Sequence, residues 1–488
     1  MSFAFCFSKT ENNNYDLDSE IKLDDYTFFY ESNTPVSYCE SGNRAVILYG
    51  FCVNVFNGDY KNPAKQILDY SDDWQTVISY EKSLGGKYII ICKENGRYFV
   101  LPDATASIPV FYNNQGPDFE CSSNCMYLAD KFGYQCDKKL MKIRTTGDIS
   151  QAMPYDITEY SEIRQLLPNH YLDLYSGKAV RFINEDKETL LLSAEQAAEQ
   201  TSQLILNLFH FYSSEMKCMC PITGGRDSRV VLAVFHKALA DKTEAYTIKH
   251  DNQSDFSADL AIPKKISEIC DISYSVFHDL PVNKETIEKF NHLLGENRYS
   301  LRTLMIAHTI LSNTKGKAVI NGDIIGQVGK CSLHRDIPYF LATPGYFRCK
   351  LHNYSKEAKK FLRIWLKEIK ESGEKVNTFD LFSIESRMGR WAGQENLIYN
   401  ISGQPYFNIF NSRSIIYKWT CVPRKERKNS LLHIELLKII DMDLLKIDFE
   451  SDSNLLVKIA KSNGILYYLF SFMKFYAEKI MFVLRKGN

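Results

Sequence analysis

The stretch 218-CMCPITGGRDSRVVLAVF-235 constrains the fold most. A short apolar run stops at two glycines and resumes at helical spacing, which reads as buried strand, tight loop and helix. The texture then repeats, with strands expected over 244–248, 273–277 and 317–321 and helices over 228–240, 257–268, 284–294 and 301–313. Strands alternating with helices predict a parallel sheet covered by helices. Ligands of such sheets bind beyond the carboxyl ends of the strands, where residues 223–228 stand.

The chain before this region has another character. From Tyr26 to about Phe182, short apolar runs at 45–56, 87–93, 96–103, 108–113 and 170–175 are punctuated by Gly, Asn and Asp, and one helix is expected over 62–70. That is a β-rich domain. The charged connector 183-INEDKETLLLSAEQ-196, with Ser193 and Glu195 opening an amphipathic helix, sets the boundary between domains 1–190 and 191–488. Beyond about Tyr354 the pattern reads as helices, and no internal repeat is found.

With 59 basic and 59 acidic residues the chain has no net charge, which gives no electrostatic case for nucleic acid or an anionic membrane as main partner. The 13 cysteines are odd in number and scattered, as in a reduced, cytoplasmic protein. Cys121/Cys125 and Cys218/Cys220 lack a second pair at zinc spacing and read as buried thiols. The opening 1-MSFAFCFSKTENNNYD lacks the basic start of an export signal. The apolar segment 464–488 is interrupted by Lys474, Glu478 and Lys479, too soon for a spanning helix. It reads first as a helix packed on the body, and second as a peripheral membrane contact through its aromatic face and Arg485-Lys486.

At residues 223–228, Gly224 and Gly225 let several N–H groups face one anion, Thr223 and Ser228 add hydroxyls, and the following helix adds its positive end. Asp227 beside a phosphate calls for a cation, which argues for Mg2+. The alternative is a turn with Asp227 or Ser228 as helix cap. A G-x-x-x-x-G-K-[ST] loop is excluded, because its lysine is missing.

Thr223 to Ser228 resembles the S-G-G-x-D-S loop of ATP pyrophosphatases, and the ordered segments around it resemble asparagine synthetase-like amide ligases. In the first half, 85-GGKYIIICKENGRYFVLPDATASIPVFY-112 and 163-IRQLLPNHYLDLYSG-177 are similar to the class II glutamine amidotransferase domain. In the second, 257-SADLAI-262, 320-INGDIIGQVG-329 and 405-PYFNIFNSR-413 follow the hexamer in family order. The resemblance implies an α/β and α+β chain: an Ntn-hydrolase-like αββα sandwich, then an ATP pyrophosphatase-type parallel sheet of the adenine nucleotide α hydrolase-like kind. Two departures stand out. The family's nucleophilic cysteine is replaced at Ser2 and the R-G-P-D and N-G-E-I-Y-N runs are missing, so the first domain is expected to be scaffold without glutaminase activity; Cys6, inside the first strand, cannot replace that nucleophile. Gly326-Gln327 stand where the family has two acids.

The implied reaction is ATP-dependent activation of a substrate carboxylate as an acyl-adenylate, release of PPi, and transfer to ammonia or an amine. The implied cofactors are ATP and Mg2+. Thr223, Gly224, Gly225, Asp227 and Ser228 would hold phosphates, backbone near Tyr246-Thr247-Ile248 the adenine, and Asp227 the metal. Asp323 would be the base, Glu385 its partner, Arg387 a carboxylate holder, and Lys428, or Asn429 with a one-residue offset, the pyrophosphate contact. Pro221 is unusual in a central strand. Two rivals are a degenerate, non-catalytic relative that binds nucleotide or a partner, and a thiolating tRNA-modifying pyrophosphatase, which the neutral charge disfavours.

Overall fold

In the computed structural model of the protein, the described residues are 3–9, 17–116, 118–147, 153–182, 191–251, 253–254, 257–296, 298–450 and 455–486. The first part contains β1 (Phe5–Ser8), β2 (Ser19–Leu23), β3 (Tyr26–Tyr30), β4 (Val36–Ser41), β5 (Arg44–Asn54), β6 (Leu84–Glu94), β7 (Arg97–Pro102), β8 (Phe111–Asn113), β9 (Cys121–Ser122), β10 (Ile163–Gln165), β11 (His170–Asp173) and β12 (Lys178–Arg181). They form two antiparallel six-stranded sheets, in the orders β10-β8-β9-β1-β3-β2 and β12-β11-β7-β6-β5-β4.

Strand alternation sorts the side chains. Along β5, Ala45, Ile47 and Tyr49 enter a core shared with Phe5, Phe7 and Phe28 of the other sheet. Val46 and Leu48 face outward, under Ala64, Ile67 and Trp74 of the helices Pro63–Tyr70 and Trp74–Glu81. The helix Cys125–Phe132 covers the first sheet, packing Leu128 on Phe111 and Ile163. The layers therefore run helix, sheet, sheet, helix.

The second part carries a parallel sheet of β13 (Cys218–Pro221), β14 (Glu244–Lys249), β15 (Ser273–His278), β16 (Ala318–Asn321) and β17 (Tyr406–Asn408), in the order β15-β14-β13-β16-β17. The four expected strands are present, with helices at Asp227–Leu239, Ala258–Cys270, Lys284–Leu294 and Leu301–Thr314. The fifth strand, β17, lies where only helices were expected; β16 recruits it as a neighbour. Pro221 is the last residue of β13, so its missing N–H falls at the strand end, and the Ile222 N–H resumes pairing on the Tyr246 carbonyl at 2.8 Å. The helix Ala194–Glu215 opens at Ser193 with Glu195 in its first turn, as expected, and Ser193 and Gln196 form a capping box.

Strand order reverses direction at β13, whose neighbours are β14 and β16. Loops leaving β13 and β16 therefore diverge and leave a crevice between them. The π-helical segment Ile325–Gly329 borders it through Gly326 and Gln327, and such wide turns concentrate at functional sites. The two parts share one core, in which Phe51 of β5 packs on Phe211 and Phe407.

Candidate functional site

A cavity of about 440 Å³ opens at the carboxyl ends of β13, β14 and β16. The β13 loop forms one wall. Gly224 and Gly225 do not have the left-handed backbone that a tight glycine turn would need. Gly224 is required for another reason: a Cβ there would lie 3.0 Å from the Ala258 carbonyl oxygen and 3.2 Å from Glu450 Cβ. The loop amides have partners within the protein. Gly224 N–H donates to Asp259 Oδ1 at 3.0 Å, Thr223 N–H to Ser228 Oγ at 3.0 Å, and Gly225 N–H to Thr223 Oγ1 at 3.3 Å. The cradle expected from sequence is thus filled by side chains that an arriving phosphate would displace. The helix Asp227–Leu239 begins with no side-chain cap, so neither Asp227 nor Ser228 caps it.

Asp227 stands at the centre of the site. Its Oδ1 pairs with His433 Nε2 at 2.8 Å; the His433 side chain is fully buried, whereas that of Asp227 is 40% exposed. Burial would raise the Asp227 carboxyl, but His433, with Lys330 and Arg226 nearby, holds it below the usual range. His433 Nδ1 is buried without a hydrogen-bond partner among the described residues. On the other side, a Cβ at Gly326 would lie 2.6 Å from Asp227 Oδ2. Gly326 therefore makes room for the Asp227 carboxylate.

Asp323 faces it from the β16 loop. Asn321, at the strand end, accepts the Asp323 N–H at 3.0 Å and an Asn408 side-chain N–H at 2.6 Å, and donates to the Phe407 carbonyl at 3.0 Å. Asn321 thus starts the turn, while the Asp323 carboxylate accepts no hydrogen bond from the described residues. Burial and then the Asp227 charge push Asp323 up to about 6, against Arg387. Glu395 is pushed up to about 8 by burial and by Asp323, again opposed by Arg387. Asn321, Asp323 and Tyr406 also line a small cavity of about 20 Å³ that reaches Glu395 and Lys87. Lys87, on β6, donates to Asn400 Oδ1 at 2.7 Å and to the Tyr406 carbonyl at 3.1 Å, and burial brings it down to about 7.

Thr223, Asp227, Ser228, Ile248 and Asp323 all line the larger cavity, as does Gln327, whose buried Oε1 has no partner among the described residues. Glu385 does not. It is fully buried, receives both Arg181 terminal nitrogens at 2.6 and 2.9 Å, Trp365 Nε1 at 2.7 Å and Asn169 Nδ2 at 3.1 Å, and so joins the two parts of the chain. Lys428 is engaged elsewhere, with Asp336 at 2.5 Å. The charge of Lys330, by contrast, acts on Asp227 and helps to lower it. The Arg387 guanidinium lies 4.2 Å from the Trp391 ring. Cys6 is buried in β1, where burial raises its thiol to about 12, and Ser2 lies outside the described residues. Phe3, just after it, is buried between Phe51 and Phe407, each 6.2 Å away. Cys121, Cys125, Cys218 and Cys220 are free thiols, and no group of three or more His, Cys, Asp or Glu suited to a metal occurs among the described residues.

His433, Lys330 and Glu395 are residues of this region that sequence reading missed. Gln327 was singled out in the sequence only as a departure from the resembled loop.

No family model matches the chain, and no curated protein matches it. Among solved structures, the chain is similar over 38% of its length to 77% of an NMN synthetase from Francisella tularensis, at 17% identity and a TM-score of 0.20. It is similar over 64% of its length to a glutamine phosphoribosylpyrophosphate amidotransferase from B. subtilis complexed with ADP and GMP, at 11% identity and TM-score 0.22, and spans 63% of that chain. It also spans 51% of a glutamine-dependent NAD+ synthetase from Acinetobacter baumannii in complex with adenosine diphosphate, over 52% of its own length, at 11% identity and TM-score 0.22.

Proposed function

We propose that the protein is an ATP-dependent amide-bond-forming ligase of asparagine synthetase type, with an Ntn-type first domain that serves as scaffold. One observation carries the reading: at the crevice of a parallel sheet, a T-G-G-x-D-S loop and an acidic β16 loop converge on one cavity of about 440 Å³. The nucleotide triphosphate lies on the Thr223 to Ser228 loop, its adenine against backbone of Tyr246 to Ile248. Phosphate oxygens take over the Gly224 N–H from Asp259, and Lys330, rather than Lys428, faces the pyrophosphate.

A substrate carboxylate oxygen attacks the α-phosphorus and PPi leaves with the cleaved P–O bond. An amine or ammonia then attacks the acyl carbon and AMP leaves. Asp323, raised to about 6 and free of hydrogen bonds from the described residues, takes the proton of the attacking nitrogen. Loop amides and hydroxyls held in place before reaction stabilise the charge that develops on phosphorus.

The residues fit a Mg2+ delivered on the phosphates: Asp227 is 40% exposed and commits Oδ1 to His433, which leaves Oδ2 for a cation. Bound there, the ion would neutralise charge on the leaving pyrophosphate.

Acid-dependent ATP–PPi exchange tests the reading. Wild type is expected to exchange label when its acid is supplied, and Asp227→Ala to lose exchange by at least about a hundredfold. Nucleotide binding with no exchange for any acid would favour the non-catalytic relative; no nucleotide binding at all would sink both.

A further inference from the structure

The helix Gly464–Lys486 has two apolar faces and only one of them is used. Its inner face is fixed to the body along its length. Tyr467 donates to the Ser332 carbonyl at 3.0 Å, Tyr468 stacks 5.3 Å from Tyr346, and Tyr354 packs 5.2 Å from Phe475 and 5.1 Å from Phe482. The acidic Glu478 also belongs to this side, paired with His352 at 2.8 Å. The helix therefore holds its outer face in a set orientation.

On that outer face Ile465, Leu469, Met473, Tyr476, Ile480 and Val483 recur every three or four residues, and all are exposed, Met473 at 72% and Ile480 at 62%. At about 100° per residue they form one stripe along a helix about 35 Å long. Exposed Leu466, Leu484 and Met481 carry this apolar surface round to Lys474 and Arg485, and Lys479 borders it on the other side; Lys474 is 58% exposed and forms an i,i+4 pair with Glu478 at 3.8 Å. A solvent-facing helix normally carries polar residues there. An apolar stripe bordered by cations on both sides matches a bilayer interface, where side chains enter the acyl boundary and cations meet anionic headgroups. Charge complementarity selects this occupant: a second copy would bring cations against cations. No helix among the described residues is long and apolar enough to cross a membrane, so the contact lies along the surface.

We infer that the outer face of Gly464–Lys486 docks the protein on an anionic bilayer surface. The site chemistry above plays no part in this. The zero net charge of the whole chain conceals the feature, because residues 464–486 carry Lys474, Lys479, Arg485 and Lys486 against Glu478 alone.

The test is sedimentation of the full chain with vesicles of phosphatidylcholine mixed with phosphatidylglycerol, and with phosphatidylcholine alone. The mixed vesicles are expected to bring the protein down, less so as salt rises. The double variant Leu469→Glu, Ile480→Glu is expected to lower binding at least about tenfold while melting at the wild-type temperature, since both side chains are already exposed. Lys474→Glu with Arg485→Glu is expected to lower it on the mixed vesicles. Protein remaining in the supernatant with both vesicle types overturns the inference, as does equal binding to both. A dimer seen by light scattering that the first double variant dissociates, without vesicle binding, assigns the face to a second copy and also overturns it.

Discussion

Gly326 decides what Asp227 can do. Because a Cβ there would lie 2.6 Å from Asp227 Oδ2, Gly326→Ala is expected to turn the carboxylate away from its place between His433 and the cavity. The displaced atom is a side-chain end, so the fold should lose no more than about 1–3 kcal/mol. Exchange activity should fall at least about tenfold, read by ATP–PPi exchange beside a melting curve. Gly326→Asp should be worse, since it sets a second carboxylate against the first. Glu395 offers a pH test. Its folded pKa of about 8 lies above the ordinary value, so the folded state binds more protons than the unfolded chain between about pH 4.5 and 8, and stability falls as pH rises through that window. Glu395→Gln should therefore raise the melting temperature at pH 8 and scarcely at pH 5, and should leave the apparent pKa of Asp323 in the pH–rate profile unchanged, because Glu395 is still protonated where Asp323 titrates. The hexamer and Asp323 were legible because each sits inside one short run. His433 was not: it meets Asp227 across 206 residues, and no local spacing announces such a partner.

At the scale of elements, legibility followed periodicity. β13 to β16 and their helices stand out because apolar runs of strand length alternate with amphipathic stretches. β17 has only Tyr406–Asn408, too short for a pattern, and its strand character comes from pairing Val319 with Tyr406 and Asn321 with Asn408. The segment 384–394 reads as an ordinary helix, yet Ser383–Ala392 is wound as a π-helix. That winding changes which side chains share a face, and on it Glu385 is turned into the protein, where it meets Arg181, Trp365 and Asn169. Asn321 links element to site, because its side chain joins the ends of β16 and β17 to the Asp323 turn. Asn321→Ala should leave the β17 contacts and Asp323 N–H without their partner, costing about 1–3 kcal/mol in denaturant unfolding and reducing activity more than nucleotide binding.

Across the whole molecule, the two parts are joined by buried charge as well as by shared core. Arg413 pairs with Glu81 at 2.5 Å, and Arg181 reaches both Glu385 at 2.6 Å and Glu368 at 2.8 Å. Such pairs add little over apolar packing but cost heavily when one partner is removed. Glu385→Gln leaves Arg181 with Glu368 alone, and its amide cannot accept from Arg181, Trp365 and Asn169 together as the carboxylate does. A loss of about 2–4 kcal/mol is expected in denaturant unfolding. The acid side supplies a second readout. Burial raises both carboxyls, but the Arg181 charge with its hydrogen bond and His170 outweigh it, holding Glu385 below its usual range and Glu368 at about 2. A depressed carboxyl contributes stability above its unfolded value and loses it as pH falls, so wild type should weaken steadily below about pH 4.5 and the variant less steeply. Nucleotide affinity measured well below the unfolding midpoint should match wild type, because Glu385 lines neither cavity; a variant of wild-type stability that had lost exchange would instead return Glu385 to the chemistry.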